Sequence, residues 1–233
     1  MAHAGQVQQL TDDIADEQAL CLDVEGTTAW LALTYKAGIP PGESVLVLGA
    51  TGSVGQIAVQ AAKALGARRV VAAGRDRETL DAVQDRGAGA VVTLDEAYEG
   101  RLVGASEGGF DLAVDFLFGA PMAAGIQATR VGGRIVNLGM RAGWTVELRG
   151  IPLKERDLFS CSIGMVPIDV RARAFGDLSQ LALTGGIHVE SERTALADVA
   201  ERWKRQATSH TASCSSHLEG GPRLSWWRRA TIV

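Results

Sequence analysis

The stretch between Val45 and Arg75 constrains the fold more than any other part of the chain. Residues 45–48 are apolar without alternation, which suits a parallel strand buried on both faces. Gly49-Ala50-Thr51-Gly52-Ser53-Val54-Gly55 follows, then an amphipathic segment, then a second apolar run over 70–73 that ends at Gly74-Arg75. This pattern predicts a strand, a glycine turn, a helix over about 53–65 and a second strand. Lacking a Cβ, Gly52 lets the backbone turn tightly beside a phosphate, and Gly55 lets the first helical turn press on the strand. The predicted helix puts Val54, Ile57, Ala58, Ala61, Ala62 and Leu65 on one face and Gln56, Gln60 and Lys63 on the other. Its unpaired N–H groups and positive dipole end would then face an anion. A glycine triplet means little by itself in a chain with 28 glycines. The strand before it, the helix opening on it and the second strand beyond it make a dinucleotide pyrophosphate site the expectation; a tight turn in another α/β fold is the alternative.

A second selector lies at the end of the second strand. An NAD site places an acidic residue there for the ribose 2′-hydroxyl. This chain has Gly74 and then Arg75. Glycine leaves room for a 2′-phosphate and a guanidinium pairs with it in a bidentate way, with Arg77 in reach to assist. The expected cofactor is therefore NADP(H) in preference to NAD(H), against the alternative that Arg75 is a solvated surface charge. Asp76 is expected to cap a helix starting near Arg77.

The alternation continues along the chain. Residues 90–92, 112–116 and 134–138 read as further strands and 157–162 as a sixth, with helices near 78–86 and 121–129. Alternating strands and helices imply an α/β fold, a Rossmann doubly wound parallel sheet of about six strands. Ligands in such sheets sit beyond the carboxyl ends of the strands, here at 49–55, 116–119 and 138–140. The short-chain reductases also open on Gly-Ala-Thr-Gly. However, the turn here does not open the chain, and neither Tyr35 nor Tyr98 has a lysine four residues on.

At this point the chain resembles the cofactor domain of the medium-chain dehydrogenase/reductase family, which includes zinc alcohol dehydrogenases and zinc-free quinone oxidoreductases. Asp16-Glu17-Gln18-Ala19 with Gly26-Thr27-Thr28-Ala29-Trp30, Pro41-Gly42-Glu43-Ser44 leading into the glycine turn, Lys63-Ala64-Leu65-Gly66-Ala67, and Gly132-Gly133-Arg134-Ile135-Val136 carry the resemblance, over about 9–206. It implies hydride transfer between a nicotinamide and a carbonyl, enone or quinone, with a small molecule as substrate. Thr28 would lie near the nicotinamide and Leu138-Gly139 would pass along it; a hydroxyl bonded to its own helix is the alternative for Thr28. The cofactor-binding set is then Thr28, Gly49, Thr51, Gly52, Ser53, Val54, Gly55, Gly74, Arg75, Phe118, Leu138 and Gly139. No catalytic acid or base is evident; Thr28 and Lys36 are the candidates near the right end, and Lys36 reads more simply as a surface charge. The resemblance divides the chain into 1–26, the tail of a preceding catalytic domain; 27–165, the cofactor domain; 166–206, a helical segment; and 207–233, an atypical tail. Activity of such a chain alone would be impaired, and Leu22, Trp30 and Leu33 would belong to an apolar face left open. A non-catalytic dinucleotide-binding module, or a dimerisation remnant joined through the sheet edge at 157–162, is the second reading.

Cys21, Cys161 and Cys214, with His3, His188, His210 and His217, make no metal-ligand spacing, so no zinc is expected. The tail turns rich in Ser, His and Trp after Gln206. A shifted reading frame near Ser209 and a natural disordered tail both account for that. A net charge of −4 without a basic stripe argues against nucleic acid. No apolar stretch of membrane-spanning length and no leader pattern occur, so a cytoplasmic location without membrane partners is expected.

Overall fold

The computed structural model describes residues 7–8, 13–148, 155–208, 214–219 and 231–232. Six parallel strands form its centre: β1 (Ser44–Leu48), β2 (Arg69–Gly74), β3 (Ala90–Thr93), β4 (Phe110–Asp115), β5 (Thr129–Asn137) and β6 (Asp157–Ser160). Their order across the sheet is β3-β2-β1-β4-β5-β6. The α/β doubly wound class expected from the sequence is the fold observed. Register is in step at the carboxyl ends: Leu48 lies opposite both Ala73 and Asp115, and Asp115 opposite Asn137. The order reverses between β1 and β4, which is where such sheets open a crevice.

Successive side chains of a strand point to opposite faces. Val45, Val47, Val70, Ala72, Leu112 and Val114 enter one core, while Leu46, Leu48, Val71, Ala73 and Ala113 enter the other. Burial on both faces is why these strands read as continuous apolar runs. The first core takes α3 (Ser53–Ala64), α4 (Arg77–Asp85) and α7 (Ile168–Leu183); the second takes α5 (Tyr98–Ala105) and α6 (Gly119–Ala128). Asp76 caps α4 as expected, its carboxylate accepting the Thr79 N–H at 2.7 Å. At the opposite end of the sheet Asp111 ties β1 to β4. Burial opposes its ionisation, but the Ser44 N–H and hydroxyl, each at 2.7 Å, and the Arg130 guanidinium hold it well below the usual carboxylate range.

Three expectations need correction. Residues 16–36 are helical throughout, with α1 (Asp16–Cys21) and α2 (Thr27–Leu31) each followed by a wide π turn, at Leu22–Gly26 and Ala32–Lys36. Leu22 and Leu33, expected on an open face, have no exposed surface. Leu22 packs beside Gly26, against which the Leu178 side chain of α7 also closes. Gln60, expected on the polar face of α3, is 5% exposed because its amide bonds both backbone groups of His188. The fifth strand, expected over 134–138, runs over Thr129–Asn137, so Gly132 and Gly133 lie inside it. Of the atypical tail, the described residues include Cys214–Glu219, paired in parallel with Ser191–Ala195, and Thr231–Ile232, paired with Val7–Gln8.

Candidate functional site

A cleft of about 650 Å³ runs along the carboxyl ends of the strands. It is lined beyond β3 by Leu94 and Tyr98, and beyond β2 by Gly74 and Arg75. The turn after β1 contributes Gly49, Thr51, Gly52, Ser53, Val54 and Gly55. Beyond β4 come Phe116, Leu117 and Pro121, and beyond β5 Leu138, Gly139, Arg141 and Ala142. Thr28 of α2 and Trp203 of α8 (Val199–Thr208) complete the lining.

The glycine turn is built by close approach. Gly49 takes φ +88°, and its N–H and that of Ala50 both reach the Ala73 carbonyl at 2.9 Å. A Cβ on Gly55 would stand 2.2 Å from the Gly49 oxygen and 2.7 Å from the Ala50 Cα, so α3 rests directly on the strand end. At Gly52 the situation is reversed. Its backbone is extended (φ −80°, ψ 162°), and a Cβ there would meet nothing nearer than the Gly49 oxygen at 3.5 Å. The missing side chain therefore leaves space to the cleft, at the N-terminus of a twelve-residue helix whose first N–H groups lack intrahelical partners. This is the cradle a pyrophosphate needs, and the residues present fit the group.

Gly74 works differently from the expectation. A Cβ there would lie 2.4 Å from the Thr51 Cγ2, so buried Thr51 takes part of the space assigned to a 2′-phosphate. Arg75 is exposed and lines the cleft, whereas Arg77 does not line it and pairs with Asp81 at 2.8 Å. Among the described residues no carboxylate lines the cleft.

At the other end, two loops are locked together. The buried Asp115 carboxylate accepts the Leu117 N–H at 2.9 Å, the Phe118 N–H at 3.0 Å and the Asn137 amide at 2.7 Å. Burial pushes this carboxyl up from its ordinary value, and those three donors oppose the shift. Asn137 also donates to the Gly139 carbonyl at 2.8 Å, and a Cβ on Gly139 would meet the Phe116 oxygen at 2.5 Å. Phe118 sits at φ +59°, ψ −165°, a region that glycine normally fills. Its N–H bonds to Asp115 hold it there. Phe118 itself packs into the core beside α6 and does not line the cleft; its neighbours Phe116 and Leu117 do.

Thr27 and Thr34 turn their hydroxyls back to Leu22 and Trp30 carbonyls, at 3.2 and 2.8 Å. Among the described residues Thr28 makes no such bond, and it faces the cleft. Lys36 does not line the cleft; its Nζ stands 5.6 Å from the Tyr35 ring centre. Leu94, Tyr98, Phe116, Leu117, Pro121, Arg141, Ala142 and Trp203 lie outside the sequence-derived set. Most of them follow from the carboxyl-end rule applied to every strand. Trp203 has no local signal, because a helix remote in sequence brings it.

The cysteines and possible metal ligands among the described residues stand apart. Cys21 and Cys161 are buried, and no three potential ligands gather. Among the described residues no helix is long and apolar enough to cross a membrane.

Residues 53–181 match the model of the zinc-binding dehydrogenase family, and the chain belongs to that family. It is 31% identical over 141 residues to a mycocerosic acid synthase-like polyketide synthase of Mycobacterium tuberculosis, over 57% of this chain and 6% of that one. Human quinone oxidoreductase is 29% identical over 161 residues, 67% of this chain and 48% of the relative. The chain thus spans less than half of these relatives' lengths. A mycobacterial protein solved in complex with NADPH shares the fold, with a TM-score of 0.76 at 23% identity, over 88% of this chain and 65% of that one.

Proposed function

We propose that this chain is the cofactor-holding part of an NADP(H)-dependent oxidoreductase of the quinone reductase or alcohol dehydrogenase type. The open cradle at Gly52, beneath the N-terminus of α3, carries the reading. Gly49–Gly55 would hold the pyrophosphate, Gly74 and Arg75 the adenosine ribose, and Thr28, Leu138 and Gly139 the nicotinamide. When bound, the cofactor supplies a hydride to a carbonyl, enone or quinone, and a proton from solvent completes the reduction. The chain's own part is to bind, orient and exclude water. Among the described residues, Tyr98 of the lining has its hydroxyl pushed up by burial, away from proton transfer near neutral pH. Slow turnover by the 233-residue chain alone follows from this reading. The second reading is a non-catalytic dinucleotide-binding module. Edge strand β6, with Leu158 48% exposed, supports a homodimer through the sheet edge.

Fluorescence titration with NADPH and NADH tests the cofactor. NADPH should bind more tightly. Arg75→Ala removes a charge-assisted contact worth about 1.5–3 kcal/mol and should weaken NADPH roughly tenfold or more, with NADH barely affected. Equal losses for both cofactors would assign Arg75 to stability instead. Trp203, 77% exposed yet lining the cleft, should transfer excitation to bound NADPH. Trp203→Phe should remove most of that sensitised emission; unchanged emission would place the nucleotide elsewhere.

A further inference from the structure

The cleft carries a second cation that the cofactor reading does not use. Arg141 lines it beyond β5, exposed to solvent. The other described arginines are engaged. Arg68 and Arg130 pair with Asp111, Arg134 with Glu43 and Arg86 with Glu190, and Arg171 stands near Asp23. Among the described residues Arg141 has no partner. Its loop is nevertheless held in place. The Ala142 N–H reaches the Leu117 carbonyl at 2.7 Å, and a Cβ on Gly119 would stand 3.2 Å from the Ala142 oxygen. Arg141 is therefore set on a fixed turn, in a lining that also includes apolar Phe116, Leu117, Pro121 and Leu138.

Position decides what it serves. Neighbouring strands lie about 4.8 Å apart, so β5, two strands from β1, is roughly 10 Å from the pyrophosphate cradle. Arg75 lies on the other side of that cradle, beyond β2. A dinucleotide with its ribose phosphate at Arg75 extends its nicotinamide toward β4 and β5. That end of the cofactor offers no anion, and its oxidised ring is itself cationic. A guanidinium fixed there has no cofactor charge to answer.

We propose that Arg141 forms an anion subsite at the nicotinamide end of the cleft, and that the substrate is a carbonyl, enone or quinone bearing a carboxylate. The proposal rests on the dinucleotide reading above. A carboxylate accepts two parallel bonds from a guanidinium. Among the described residues the lining holds no carboxylate, so an anionic substrate meets no like charge from them.

The test uses the whole chain saturated with NADP⁺ and two probes of one shape, 4-formylbenzoate and its methyl ester, followed by calorimetry. The acid should bind at least roughly tenfold tighter than the ester, and the preference should shrink as salt rises. Arg141→Gln should abolish the preference and leave NADP⁺ affinity and melting temperature unchanged; Arg141→Lys should restore part of it. Equal binding of acid and ester, or no binding of the acid, overturns the subsite. So does a loss of NADP⁺ affinity in Arg141→Gln as large as its loss for the acid, because Arg141 would then serve the cofactor. Failure of the wild-type chain to bind NADP⁺ overturns the dinucleotide reading, and the subsite with it.

Discussion

Gly52→Asp is expected to abolish dinucleotide binding while leaving the fold intact. The backbone at Gly52 is extended, a conformation open to any residue, and a Cβ there stands 3.5 Å from its nearest neighbour. The new carboxylate would occupy the cradle and oppose the pyrophosphate's charge. Affinity for NADPH should fall about a hundredfold or more, near 2.7 kcal/mol, with stability changed by less than about 1 kcal/mol. Gly55→Ala is the contrasting case three residues on. Its Cβ would lie 2.2 Å from the Gly49 oxygen, a backbone atom that cannot move without shifting α3 or the end of β1. Overpacking of this kind costs about 1–3 kcal/mol, so the melting temperature should drop and binding with it. Melting curves and NADPH titrations of the two variants separate the roles. Gly52→Asp that melts as early as Gly55→Ala, or that still binds NADPH, would remove the cradle from the argument.

The same two glycines show what is legible in the sequence. Both follow from spacing alone, because a strand–turn–helix unit leaves few places where a side chain is forbidden, and those places recur at fixed offsets. The central strands β1, β2 and β4 are equally readable, since burial on both faces forbids polar residues along most of their length. Legibility ends where a distant partner decides. Gly132 and Gly133 precede the strand expected over 134–138, yet both lie inside β5, where a Cβ on Gly133 would stand 3.0 Å from the Phe110 oxygen. Leu22 and Leu33 are apolar as a buried face requires, but only the packing of α7 shows that the molecule covers them itself. At the cleft, the strand-end turn places Phe118. The direction of its side chain depends on a positive φ held by Asp115, which no pattern of apolar and polar residues encodes. Trp203 enters from beyond the span that matches the family model, so no motif in the cofactor unit announces it.

Gln60 is the sharpest case of a distant partner, and it yields the largest expected stability effect away from the cleft. Its polarity suits the solvent face of α3, between Gln56 and Lys63. Instead its Oε1 accepts the His188 N–H at 2.8 Å and its Nε2 donates to the His188 carbonyl at 3.0 Å. One amide thus satisfies both backbone groups of a residue 128 positions away and docks the segment after α7, with buried Ile187, onto α3. Gln60→Leu conserves the volume but leaves a backbone donor and acceptor facing an apolar side chain. Each unsatisfied group costs about 1–3 kcal/mol when water cannot reach it; with His188 itself exposed, the sum should be about 2–3 kcal/mol. The urea midpoint should fall in proportion, at an unchanged slope, because the amount of surface exposed on unfolding stays the same. NADPH affinity of the folded variant should be unaltered, because Gln60 lies below the first turn of α3 and does not line the cleft. A midpoint matching the wild type would mean that water replaces the amide at no cost, and that the segment after α7 is held by its apolar contacts alone.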